Sequence, residues 1–225
     1  MNLNKHIEFF DPSKLKEKNI DINIIGVGAV GSYIALQLAK LGVEKIIIWD
    51  FDVVDEHNIT NQVYDYEDLD LPKADALEKH LKRSNPEIRV IKKGRYSAGM
   101  PISGIVFLEV DSMKVRQEFV DDNRYNQEID MVIDGRIGLA TGEVHCISWQ
   151  DEKIVEKFEE KVQSFDDINA AVTVSACGTT LSVSPTVFVT AAEAVKCLIN
   201  YINNEPNNSY IGFNAFESKM RGLNF

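Results

Sequence analysis

The chain is short of several things, and each shortage excludes a class of protein. Its 225 residues include only three cysteines, Cys146, Cys177 and Cys197, with no Cys-x-x-Cys pair, so a structural zinc site has no support. Four scattered histidines (His6, His57, His80 and His145) add no metal-ligand spacing. No apolar run approaches the ~18 residues that cross a bilayer. The opening residues Met1 to His6 lack the long apolar core of a signal peptide. The expectation is a cytoplasmic protein with no membrane association. Positive charge is also scarce. Lys and Arg total 24 against 35 Asp and Glu, a net charge of -11, and no arginine precedes Arg83. The basic face that displaces counterions from nucleic acid is therefore missing, and no nucleic-acid partner is expected. A nucleotide site in such a chain must be made locally attractive by amides, a lysine and a metal ion.

What is present is an ordinary globular balance, 44% apolar and 26% charged. Ile20 to Ile25 reads as a short buried strand closed by glycine. Val30, Ile34, Leu38 and Leu41 then recur at helical spacing up to Gly42, and Lys45 to Trp49 reads as a second buried strand. Further along, helices are expected at Lys73 to Leu81, Lys114 to Val120 and Glu152 to Gln163, and from Pro185 to about Ile202. Strands are expected at Ile88 to Ile91, Ile105 to Val110 and Met131 to Ile133, the last ending at Asp134-Gly135-Arg136. Glu143 to Trp149 alternates like an antiparallel strand, and Tyr210 to Phe225 reads as a terminal hairpin. Asn203 to Asn208 is the best linker candidate, but nothing divides the middle of the chain. The pattern predicts one α/β domain over residues 1–225: a Rossmann-like, doubly wound, mostly parallel sheet with antiparallel C-terminal strands.

Two linked segments carry the chemistry. In Gly26-Val27-Gly28-Ala29-Val30-Gly31, Gly26 and Gly28 permit a tight turn and close backbone approach to phosphate. Gly31 permits helix–sheet packing, and the helix N-terminus from Ala29 favours an anion. A merely structural turn would have the same glycines. Asp50, twenty-four positions after Gly26 at the end of the second strand, is where a carboxylate meets ribose hydroxyls; the plain alternative is an exposed strand-end Asp. Asp52, Asn58, Gln62 and Pro72-Lys73 follow, and Glu109-Val110-Asp111 comes after an apolar strand. Taken alone, Lys73 would be a solvated helix-start lysine, and Asp111 the N-cap of the next helix.

The order Asp50-x-Asp52-x-Val54, Asn58-x-x-x-Gln62, Pro72-Lys73 and Asp111, behind the glycine segment, resembles the ThiF/MoeB/HesA family, relatives of the ubiquitin-activating enzymes. The similarity runs through the Pro185 helix to the closing hairpin. The resemblance implies ATP- and Mg²⁺-dependent adenylylation of the C-terminal carboxylate of a ubiquitin-like protein or peptide by a homodimer. It implies that Asp50 binds ribose, that Asn58 and Gln62 contact nucleotide and phosphates, that Lys73 contacts the triphosphate and that Asp111 holds Mg²⁺.

The chain departs from the family pattern at Asn61, where an arginine is usual, and in lacking an N-terminal arginine. Such guanidiniums are worth about 10³-fold or more in phosphoryl-transfer rate. Arg136, beyond a strand end, is the expected substitute; the plain alternative is an ion pair with Asp134 or a nearby Glu. Cys197 and Cys146 read as inert core and strand residues, and Cys177, among small residues, as a possible nucleophile. Two other functions share these residues. One is a non-catalytic relative that binds nucleotide or a ubiquitin-like protein. The other, an NAD-dependent oxidoreductase, accounts for Asp50 and the glycines but not for Asn58, Gln62 or Lys73.

Overall fold

The computed structural model describes residues 1–164, 182–217 and 219–225. Strands β1 (Ile22–Ile25), β2 (Lys45–Trp49), β3 (Arg89–Lys92) and β4 (Gly104–Leu108) are parallel to one another. So is the start of β5 (Ile129–Ile137). Strands β6 (Thr141–Ser148), β7 (Tyr210–Asn214) and β8 (Lys219–Leu223) add antiparallel, giving one sheet in the order β3-β2-β1-β4-β5-β6-β7-β8. This is the architecture the strand and helix pattern predicts.

The strands are apolar on both faces because both faces are covered. Residues Ile24, Ile46, Ile48, Ile105, Phe107, Met131 and Ile133 pack under α2 (Ala29–Lys40), α3 (Lys73–Ser84) and α6 (Ser184–Ile202). Their neighbours Ile25, Ile47, Trp49, Val106, Leu108 and Val132 pack under α4 (Met113–Asn123) and α5 (Glu152–Gln163). The one polar residue inside β1, Asn23, is satisfied on the second face. Its amide donates to Ser103 O at 2.8 Å, and its oxygen accepts from Trp49 Nε1 at 3.0 Å.

Helix ends follow local chemistry. Helix α2 stops at Leu41, with Gly42 at φ +85°, and α5 begins where Asp151 accepts from the Lys153 and Ile154 amides. Pro185 sits in the first turn of α6, where its missing N–H is harmless. A short helix, α1 (Ser13–Glu17), and two single 3₁₀ turns at Glu56–Asn58 and Tyr66–Asp68 have no periodic signal in the sequence.

Two local expectations are corrected. Asp134-Gly135-Arg136 does not turn away from the strand end: β5 continues to Ile137, because β6 pairs with it from Met131 to Ile137. The cap of α4 is Ser112, whose hydroxyl accepts from the Val115 amide at 3.4 Å, and not Asp111.

Candidate functional site

The C-terminal ends of β1, β2 and β4 meet at one edge of the sheet, where open α/β sheets bind ligands. Gly26 follows β1 at φ +88°, and a Cβ there would stand 2.6 Å from Glu109 O. Gly31, in the first turn of α2, comes so close to Gly26 that a Cβ would stand 2.0 Å from Gly26 O. Neither position admits a side chain. Gly28, the residue before α2, is open: a Cβ there would meet nothing nearer than Gln62 Nε2 at 4.0 Å. Among the described residues no side chain caps α2, which leaves the first amides, beginning with Ala29, at the positive end of a twelve-residue helix.

The loop after β2 is built to present side chains to this turn. Asp50 accepts from the Val27 amide through Oδ2 and from the Asp52 amide through Oδ1, both at 2.8 Å. Burial raises its carboxyl above the ordinary aspartate value, opposed by these two amides and by Lys73. Asn58 is buried and holds the loop itself, its oxygen accepting from the Asp55 amide at 3.0 Å while Asp55 caps the turn in return. Gln62 is anchored by its backbone, where the amide donates to Asn58 O and the carbonyl accepts from Tyr33 Oη, each at 3.0 Å. Its side-chain Oε1 is buried with no hydrogen-bond partner among the described residues. The donor of the same amide, Nε2, lies 4.0 Å from where a Gly28 Cβ would stand, beside the helix N-terminus, and it is this N–H group that a phosphate oxygen could accept from. Lys73 begins α3, its stem buried and Nζ 3.1 Å from Asp52 Oδ2, with its amide donating to Asp52 O at 2.8 Å. Asp111 lies past the end of β4, exposed, with no hydrogen-bond or ion-pair partner among the described residues. ATP with Mg²⁺ fits this donor set: amides and Gln62 for phosphate, Lys73 for charge, Asp50 for hydroxyls and a free carboxylate for the cation.

Arg136 is placed otherwise than expected. Its Nε lies 2.8 Å from Asp134 Oδ2, its Nη1 lies 3.9 Å from Glu143, and the guanidinium stands over Phe158 on the α4/α5 face of the sheet. Strand alternation explains this. Gly135 faces α6 (Thr190) and the Glu109 carboxyl, so its neighbours Asp134 and Arg136 point the other way. Arg116 closes the arrangement, Nε to Asp134 Oδ1 at 2.8 Å and Nη2 to Gly135 O at 3.1 Å. Burial would raise the Asp134 carboxyl, but the Arg116 and Arg136 charges hold it below its ordinary value. The loop position Asn61 is also engaged, donating to Ser182 Oγ at 2.5 Å. Cys146 and Cys197 are buried, as expected, and Cys177 lies outside the described residues.

Two features rest on contacts that linear spacing does not show. Asp65, Asp68 and His80 bring one ligand atom each within 4.8 Å, across a 3₁₀ turn and α3, where linear spacing shows nothing. Asp68 there is already paired with Lys79 (3.1 Å) and bonded to His80 (2.5 Å), which makes the trio a clamp for the loop. The other is Glu109, directly beneath the glycine turn. Its carboxyl oxygens are buried without hydrogen-bond partners among the described residues. Burial first, then the Asp134 charge, push it up to about 8, against the weaker pull of Arg116 and the Gly135 amide.

A carboxyl raised this far is protonated in the folded chain and ionised in the unfolded chain between pH ~4.5 and ~8. The unfolded state then binds fewer protons, so Glu109 makes stability fall as pH rises across that window. Glu109→Gln should therefore raise the melting temperature at pH 8 by several degrees, with the gain vanishing near pH 4.5. A constant difference at all pH values would show that Glu109 is not held neutral.

Comparison with known proteins agrees with this reading of the fold. Ubiquitin-like modifier-activating enzyme 5 of Xenopus laevis is 24% identical over 234 residues, covering 90% of this chain and 55% of that protein. The chain thus spans about half the length of that relative. The tRNA threonylcarbamoyladenosine dehydratase of Bacillus subtilis (strain 168) is 37% identical over 75 residues, 33% of this chain and 30% of that protein. Among solved structures, Escherichia coli MccB with ATP superposes with a TM-score of 0.68 at 22% identity, covering 95% of this chain and 65% of that one. The model of the ThiF family matches residues 3–225, and the chain belongs to that family.

Proposed function

We propose that the chain binds ATP with Mg²⁺ and adenylylates the C-terminal carboxylate of a ubiquitin-like protein or peptide. The observation that carries this is the open Gly28 at the uncapped α2 N-terminus, with the Gln62 Nε2 donor beside it and Asp50 and Lys73 placed at the ends of the neighbouring elements. The similarity to a ubiquitin-like modifier-activating enzyme supports it, as does the shared fold with an enzyme solved both with ATP and with N-formylated MccA.

In this reading Asp50 orients the ribose, and the α2 amides and Gln62 hold the phosphates. Lys73 neutralises the triphosphate, and Asp111 holds the metal. Bound Mg²⁺ would screen charge that an acidic chain cannot screen by itself. An acceptor carboxylate oxygen bonds to the α-phosphorus, the α–β bridging bond breaks, and pyrophosphate leaves with its electron pair. An anion attacking a polyanion needs positioning and charge neutralisation more than a base. Homodimerisation and a cytoplasmic setting belong to the same proposal, and light scattering at tens of micromolar reads the first directly.

The test is pyrophosphate release with acceptors bearing a free C-terminal carboxylate, compared with the same acceptors amidated at the C-terminus. Release with the free acid alone is expected, and equal release from both would contradict the proposal. One observation favours a second reading, a nucleotide-binding relative without turnover: Arg136 and Asn61 are both engaged within the protein. That reading predicts MgATP binding and no pyrophosphate from any acceptor.

A further inference from the structure

At the end of β2, Trp49 and Phe51 lie two residues apart and meet opposite fates. Trp49 is buried edge-on against Tyr96, their ring centroids 5.6 Å apart. Phe51 is 57% exposed. Tyr96 is fixed from below, its hydroxyl accepting from Asn123 Nδ2 at 2.7 Å. Its chain neighbour Arg95 is thereby delivered to the outer side, where the guanidinium carbon stands 3.5 Å from the centroid of the Phe51 ring. Arg95 has no ion pair or hydrogen bond among the described residues. An exposed guanidinium–aromatic contact contributes about 0.5–1 kcal/mol.

The sheet order says what faces this pair. The glycine turn follows β1, Asp50 ends β2, and the loop bearing Arg95 follows β3, so the three stand in line along one edge. With phosphates at the glycine turn and ribose at Asp50, the remaining part of a nucleotide extends toward β3. We infer that Phe51 and Arg95 form a stacking platform for the nucleobase; this rests on the nucleotide reading above. A guanidinium plane and a phenyl ring each stack on a heterocyclic face, and a purine offers the larger face. The pair thus accounts for affinity from the base, separate from the charge-based grip on the phosphates.

The test is calorimetric titration of the full chain with MgATP and, separately, with magnesium tripolyphosphate, which has the phosphates and no base. Arg95→Ala and Phe51→Ala are each expected to weaken MgATP about tenfold, the scale of one lost base stack, and to leave tripolyphosphate unchanged. Arg95→Lys, which keeps the charge and loses the plane, should behave like the alanine variant. Unchanged MgATP affinity in the two alanine variants would overturn the platform while leaving the nucleotide site intact. Equal weakening of tripolyphosphate would overturn it too, by showing that Arg95 acts on phosphate. A wild-type chain that binds neither probe would overturn the nucleotide reading, and the platform with it.

Discussion

Asp134→Ala should lower stability by about 3–5 kcal/mol, because it leaves two guanidiniums without their shared carboxylate in a buried setting. Asp134 is fully buried, Arg116 is 4% exposed, and Arg116 Nε and Arg136 Nε each reach the Asp134 carboxylate at 2.8 Å. For a chain of this size that corresponds to a fall in melting temperature of roughly 10 °C. Arg136→Ala should cost less, since Arg116 still compensates Asp134 and the Arg136 site lies nearer the surface. Thermal unfolding of both variants reads the difference. If Asp134→Ala melts within a degree or two of the parent, the two-arginine clamp is not structural, and Arg136 returns as a candidate for the triphosphate.

Lys73→Ala is the second large effect, and it falls on ligand binding. The lysine stem is buried at the start of α3, and its amide and ammonium both engage Asp52, whose own amide helps fix Asp50. It is thus a positioned charge in a chain of net charge -11. A hydrogen bond between charged groups contributes about 1.5–3 kcal/mol, so loss of the ammonium should weaken MgATP by about 10–100-fold. Lys82→Ala, which removes only an exposed pair with Glu78, is the control and should change nothing. Equal affinities for Lys73→Ala and parent would remove Lys73 from the site.

The strands, the helices and the glycine corner were legible in the sequence because each rests on a local signal. Ile-rich runs mark strands buried on both faces, the Glu152–Gln163 pattern marks one amphipathic helix, and Gly26 to Gly31 marks a strand–helix turn. Arg136 was misplaced because its surroundings are not local. Whether a strand stops at Asp134 or runs to Ile137 depends on pairing with β6, and strand alternation then sends the guanidinium to the far face. Glu109 and the Asp65–Asp68–His80 clamp are contacts between segments far apart in sequence, as is the Arg95–Phe51 stack. Ser112 in place of Asp111 as the α4 cap is the usual one-residue uncertainty at a helix end. It matters here because it leaves the Asp111 carboxylate free.

Paired titrations of the full chain with MgATP and with NAD test most directly whether this glycine corner serves ATP and not a dinucleotide. In the proposed site Gln62 and Lys73 act on a triphosphate and would have no such partner in a nicotinamide, while Asn58 holds the loop that carries Gln62. Saturable MgATP binding below millimolar concentration is expected, weakened when Mg²⁺ is chelated, with NAD binding weaker. Saturable NAD binding with no MgATP binding at millimolar concentration would contradict it.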